Sequence, residues 1–422
     1  MLDQDQTARA SSPVQRSPLH ISWLHPPGLL ALSFTNAFLR LVTFGIYSFW
    51  GKTEVRKRIW SAVRIEGEPL QYTGTGRELF MGFLVIFGAV LLPITLSSFA
   101  VALFFGPESP ALPIFQLILY VFIFLLIGIG TYRAQRYRLS RTSWRGIRGG
   151  MEGSDIHYAW TYFWSAIVLP MTWGWLTPWR STELQKILTR DMRFGDRPFT
   201  FTAKPGPLYR RFAALWFGSL LIIIVALSVL GLNFDLSTFK PDEFGDDKKD
   251  PIQALKLIGI LYAVLIIAYF CYYVVSAWYR SKAINHFAAH THFEGATFHS
   301  SVTGAGLVRV AIGNFLLNVL GWTIGLIIAG LLATPLAMMA PPGGPEVAGS
   351  EPLKFAIGAI FLLVLIASTG LFMPIIQART MRYLVENLSI KGDVPLGEIA
   401  QGAAQKMARG EGLAQAFDID GF

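Results

Sequence analysis

Cysteine occurs once in 422 residues, as Cys271, so the chain can close no intrachain disulfide and build no cysteine-based metal cluster. Charge is nearly as scarce. Only 15% of residues are Asp, Glu, Lys or Arg, where a soluble protein carries roughly a quarter, and the mean hydropathy is +0.45. A soluble globular chain is excluded. The polar start, MLDQDQTARASSPVQRSPLH, lacks the basic region, short apolar core and small-residue site of a cleaved signal peptide, and none is expected. No Ser/His/Asp constellation, paired carboxylates or cofactor motif is legible, so catalysis has no positive support.

Long apolar runs are present instead. Residues 79–107, 109–132, 212–234, 257–279, 310–345 and 355–378 contain no Asp, Glu, Lys or Arg, and each reaches the roughly 20 residues that cross a hydrocarbon core. Six spans are expected in an all-α polytopic membrane protein. The fifth run exceeds one span, so its helix is tilted, broken or prolonged beyond the bilayer.

Lys and Arg mark the cytoplasmic side. Residues 50–78 hold six, 132–156 six, 178–211 eight and the tail from 378 five. The connections 106–112 and 339–352 hold none, and 234–253 has six acids against three lysines. The spans therefore pair into three hairpins, 79–132, 212–279 and 310–378, that start and end in the cytoplasm, with both chain ends inside. The net charge of +9 flanks these spans, so the expected partners are membrane lipids and not nucleic acid.

A gap-free internal match lies at an offset of 129. Over 31 positions from Thr43 and Thr172, nine residues are identical: Thr43/Thr172, Gly45/Gly174, Trp50/Trp179, Thr53/Thr182, Glu54/Glu183, Lys57/Lys186, Arg64/Arg193, Pro69/Pro198 and Thr73/Thr202. Several are polar, so shared hydrophobicity does not explain them. A third copy is split between FEGATFHSSVTG and STGLFMPIIQARTMRYLVENLSIKG. The expected organisation is a polar tail (1–28), repeat unit 1 (29–156), unit 2 (157–304), a rearranged unit 3 (305–396) and a cytoplasmic tail (397–422). Each linker runs from basic helix to Gly or Asp turn to a short strand such as Leu70-Gln71-Tyr72 or Phe199-Thr200-Phe201. Such strands either assemble into a small cytoplasmic sheet or remain isolated turns.

The stretches NAFLRLVTFGIYSFWGKTEVRKR, YTGTGRELF and TWGWLTPWRSTE resemble the YjgN-like family of bacterial inner-membrane proteins, a domain of unknown function, from about Ala31 to Leu388. The third unit departs from the pattern, with Ile375 after Pro374 in place of Trp. The resemblance implies a bacterial cytoplasmic-membrane location and carries no catalytic residues.

Residues 29–50 and 156–179 are apolar but interrupted by Arg40 or crowded with Trp and Tyr. If they crossed, successive units would be inverted, as in many transporters, and the eight cations of 178–211 would lie outside. The charge rule favours re-entrant or interfacial segments bent at Thr43-x-Gly45 and Thr172-x-Gly174, each followed by a Trp, Trp50 or Trp179. Arg and Trp interleave along the inner interface, and Arg56, Arg58, Arg64, Arg133, Arg136, Arg145 and Arg193 are candidates for lipid or phosphate binding. His286 and His290 lie four apart with His292 close by, a spacing that suits a divalent metal. The expected function is binding or organising anionic lipid or amphiphile at these linkers. The alternative is a secondary transporter or channel with the Thr-x-Gly elements lining its path. A small-residue pair, Gly321-x3-Gly325, can pack within or between chains.

Overall fold

A computed structural model describes residues 19–106, 108–233, 251–338 and 351–402. The acidic connection 234–250, the connection 339–350 and the outer parts of both tails lie outside the described residues. The chain runs from strand β1 (Ile21–Trp23) into helix α1 (Leu29–Val42), bends, and returns through α2 (Ser48–Ala62) to β2 (Val63–Ile65), β3 (Glu68–Pro69) and β4 (Gln71–Tyr72). Helices α3 (Gly76–Ile86) and α4 (Leu92–Phe105) form one rod through a π-helical turn, and α5 (Ala111–Ser140) leads back to β5 (Thr142–Trp144) and β6 (Ile147–Met151). The pattern recurs with α6 (Asp155–Met171), α7 (Thr177–Asp191), β7 (Met192–Phe194), β8 (Arg197–Phe201), α8 (Gly206–Asn233), α9 (Pro251–Ala289), β9 (Thr291–Phe293) and β10 (Ala296–Ser300). The final part comprises α10 (Gly304–Met338), α11 (Glu351–Ser368), α12 (Met373–Glu386) and β11 (Leu388–Lys391).

Six helical segments among the described residues are long and apolar enough to cross a membrane, and protein buries no more than a third of the most apolar stretch of any of them. The rest of that surface is suited to lipid. The fifth is unbroken: α10 has 35 residues, about 50 Å at about 1.5 Å per residue, and overruns a core of about 30 Å. The sixth differs from a straight span over 355–378. It bends after Ser368, where Gly370 takes φ 82°, and α12 continues toward the sheet. Hydropathy does not register such a bend, because the residues on both sides are apolar. Gly321 and Gly325 pack within the chain, where a Cβ at Gly325 would overlap the Ser368 side chain.

The strands pair. β4 to β11 form an eight-stranded antiparallel sheet in sequence order, and β1, β2 and β3 form a second, three-stranded one. Two-residue loops, Glu66-Gly67 and Arg145-Gly146, join hairpins with both residues at positive φ, the backbone that matches strand twist. Phe293, Ala296 and Ile390 form an apolar core on the sheet with Val394 and Ile399 of the following segment, and Leu19 and Ile21 pack onto it. That segment is fastened by Asp196 N–H to Ala400 O, and by Ala400 N–H to Asp196 Oδ1, both 3.1 Å.

Both interrupted apolar segments leave the sheet and return to it. Leu24 N–H bonds Ala62 O at 2.8 Å, which closes the arm α1–α2, and Glu152 N–H bonds Asp191 O at 2.8 Å, which closes α6–α7. At 14 residues, α1 is about 21 Å long. Its end lies level with the C-terminal end of α11, where the Arg40 guanidinium donates to Thr369 O (3.0 Å) and Ile366 O (3.2 Å). A cation there also complements the negative end of the α11 dipole. The end of the second arm lies level with the early turns of α8: Trp175 packs on Tyr209, Phe212 and Trp216, and Trp216 Nε1–H donates to Trp173 O at 2.9 Å.

Candidate functional site

The bend of the second arm opens a cleft. Trp173 holds φ 50° and Gly174 φ 78°, a left-handed pair that is costly for an aromatic residue. Two threonines fix it: Thr172 Oγ1–H donates to Leu169 O (3.0 Å) and Thr177 Oγ1–H to Gly174 O (2.6 Å). Pro178 then starts α7 in its first turn, where its missing N–H costs nothing. The first arm bends the same way. Phe44 and Gly45 have φ 50° and 89°, and Thr43 Oγ1–H donates to Leu39 O at 2.6 Å while accepting from Tyr47 N–H at 2.9 Å.

Between α6, α7 and the start of α8 lies an open-sided cleft of about 840 Å³. Trp160, Trp164, Val168, Leu176 and Trp179 form its apolar walls, and Glu183, Lys186, Arg190 and Asp191 line the end nearer the sheet. Trp160 and Trp164 are about half exposed and meet edge to face at 5.5 Å. On the inner side, Arg180 lies over the Tyr162 ring at 4.8 Å and donates to Ser165 Oγ at 3.2 Å, which joins α7 to α6. Lys186 pairs with Glu183 at 3.0 Å, and Asp191 accepts from the Tyr132 hydroxyl at 2.6 Å. Arg190 is exposed, with no ion pair among the described residues. A cleft with tryptophan walls and charges at one end suits an amphiphile.

Of the sequence-derived candidates, Thr172, Gly174 and Trp179 lie at this cleft or its bend. Trp50, the counterpart of Trp179, packs on Phe80 at 5.6 Å instead. The seven arginines do not converge on one site. Arg133 pairs with Asp155 at 2.6 Å, Arg145 with Glu68 at 3.4 Å and Arg193 with Glu152 at 2.7 Å. Arg58 donates to Pro27 O and Gly28 O, Arg64 to Gly67 O, and Arg136 lies over the Tyr132 ring at 5.4 Å. Arg56 lies half-buried on α2. Several of these contacts join one helical arm or hairpin to the next.

The His286 and His290 rings are 4.3 Å apart. His286 Nε2 meets Lys204 O and His290 Nδ1 meets His286 O, while both nitrogens of His292 meet threonine hydroxyls, Thr297 and Thr202. Among the described residues no three His, Cys, Asp or Glu side chains are grouped to hold a metal. Arg190 belongs to the Arg/Trp interleaving of the linkers but not to the seven candidates, and Lys186 to neither. Their signal was the i, i+4 spacing on α7, facing Trp160 and Trp164 at the same spacing on α6.

Residues 28–416 match a family described as bacterial protein of unknown function (DUF898). The inner membrane protein YjgN of Salmonella typhimurium (strain LT2) is 24% identical over 140 residues, 33% of this chain and 32% of that protein. The chain thus spans about a third of the length of this curated relative. No solved structure matches significantly. With the family match covering nearly the whole chain, the protein belongs to the YjgN-like family of bacterial proteins of unknown function.

Proposed function

We propose that this is a multi-pass protein of the bacterial cytoplasmic membrane that binds phospholipid of the inner leaflet in the α6–α7 cleft. The reading includes three related units whose first two carry re-entrant arms, with the sheet and both chain ends in the cytoplasm. The excess of Lys and Arg in the linkers supports that orientation, and the closure of both arms onto the sheet supports the re-entrant geometry.

One observation carries the binding reading: Arg190, an exposed arginine without an ion pair among the described residues, stands at the polar end of a cleft with tryptophan walls. Arg recognises phosphate through two parallel hydrogen bonds, and tryptophan is at home where acyl chain meets headgroup. The lipid phosphate lies on Arg190 and the acyl region along Trp164, Val168 and Leu176. Arg190→Ala should weaken retention of added phospholipid by the delipidated protein about tenfold, the loss expected for one charge-assisted contact, as read by native mass spectrometry. Unchanged retention would refute the placement.

A further inference from the structure

The cleft's charge balance specifies the headgroup. Resting on the phospholipid reading above, we infer that the cleft selects a zwitterionic headgroup bearing a primary ammonium, an aminophospholipid, over a net-anionic one.

Its polar end holds two cations, Lys186 and Arg190, and two anions, Glu183 and Asp191. The balance is unusual for this chain, whose net charge is +9. A site for an anionic lipid needs surplus positive charge. Here the Lys186 ammonium is held by both oxygens of Glu183, at 3.0 and 3.1 Å, which leaves Arg190 for a phosphate. Among the described residues Asp191 has only the neutral Tyr132 hydroxyl as its side-chain partner, so its negative charge remains available to a second cation.

The remaining geometry favours an ammonium beside that phosphate. Asp191 closes α7, and the carbonyl end of a helix is its negative pole. Trp160 and Trp164 line the same cleft half-exposed, and an aromatic face attracts a cation by cation–π interaction. A glycerol headgroup brings neutral hydroxyls there, which can donate to Asp191 but gain neither the charge pairing nor the cation–π attraction. The phosphate therefore anchors on Arg190, and the ammonium takes the space bounded by Asp191 and the tryptophan pair.

The test is a competition. Delipidated full-length protein in detergent receives equal amounts of phosphatidylethanolamine and phosphatidylglycerol with matched acyl chains, and bound lipid is read by native mass spectrometry. The expected result is an excess of bound phosphatidylethanolamine of about fivefold, the size of one partly screened charge pair. Glu183→Gln releases Lys186 and makes the cleft net positive, so it should bring the ratio to parity or reverse it. Glu183 is partly exposed, and an unchanged thermal unfolding midpoint verifies that the variant is folded. Equal or preferential phosphatidylglycerol binding by the wild-type protein overturns the selectivity and leaves the lipid site standing. Retention of neither lipid overturns both readings. A phosphatidylethanolamine preference that Glu183→Gln does not alter overturns the charge-balance explanation.

Discussion

Gly304→Leu should abolish the monodisperse folded protein, whereas Gly358→Leu should leave it intact. A Cβ built on Gly304 would stand 2.7 Å from Trp278 Cα and 3.1 Å from its backbone nitrogen. Backbone cannot move aside as a side-chain tip can, so α10 would be driven off α9. Overpacking of this kind costs about 3 kcal/mol, and here the whole isobutyl group must be accommodated. Gly76 makes the same contact with Trp50 Cα, at 2.7 Å, and Gly76→Leu should fail likewise. Gly358 meets nothing within 4 Å, and leucine should gain a few tenths of a kcal/mol there through helix propensity. Size-exclusion chromatography of the detergent-solubilised variants reads the difference. Normal elution of Gly304→Leu would contradict the close approach of α9 and α10.

Glu78→Ala should destabilise the protein by about 2–3 kcal/mol, because it removes one carboxylate from two partners at once. Glu78 Oε2 accepts from the Tyr137 hydroxyl at 2.8 Å and Oε1 from Arg141 at 2.7 Å. Together these bonds fasten the start of α3 to the end of α5 beside the sheet. Tyr137 is almost fully buried, so its hydroxyl would lose its partner away from water. The Arg141 pair is partly exposed, which keeps the loss below that of a fully buried pair. Glu78→Gln retains an acceptor for Tyr137 and should recover about half of the loss. A drop in thermal unfolding midpoint, largest for Ala and smaller for Gln, is the expected pattern. Equal midpoints would show that the contact contributes no stability.

The membrane-spanning framework was legible because lipid tolerates so little charge. Each uncharged run found in the sequence overlaps one of the six long apolar segments among the described residues, and the end of the fifth run, 339–345, lies outside them. The bend at Gly370 was not legible from hydropathy, since Ser368, Thr369 and Leu371 do not interrupt the apolar run. Its clue was spacing. Gly45, Gly174 and Gly370 each precede the first residue of the next helix, Ser48, Thr177 or Met373, by three positions. The sheet was half-legible: two-residue loops such as Glu66-Gly67 announce hairpins, but strands of two to five residues carry too little alternation to predict their partners. The cleft was hidden because its lining comes from three helices. Six positions come from α6, six from α7 and only Tyr209 from α8, and nothing in the sequence pairs the two long helices, so the tryptophans read as interfacial anchors and Lys186 and Arg190 as part of a basic linker.

The central claim is that both bent arms return to the side they left. Cys271→Ser removes the native thiol, and Ser61→Cys and Thr200→Cys then place single thiols at exposed positions in the last turn of the first arm and beyond the second. Gly195 is unsuited to this use, since a Cβ there would overlap Ala400 O. Intact cells are treated with a membrane-impermeant thiol reagent, before and after permeabilisation. The account predicts that both positions are protected in intact cells and react once the membrane is opened. Labelling of Thr200→Cys from outside, with Ser61→Cys protected, would show that α6 crosses the bilayer. The units would then be inverted, and the lipid-binding reading would give way to a transporter.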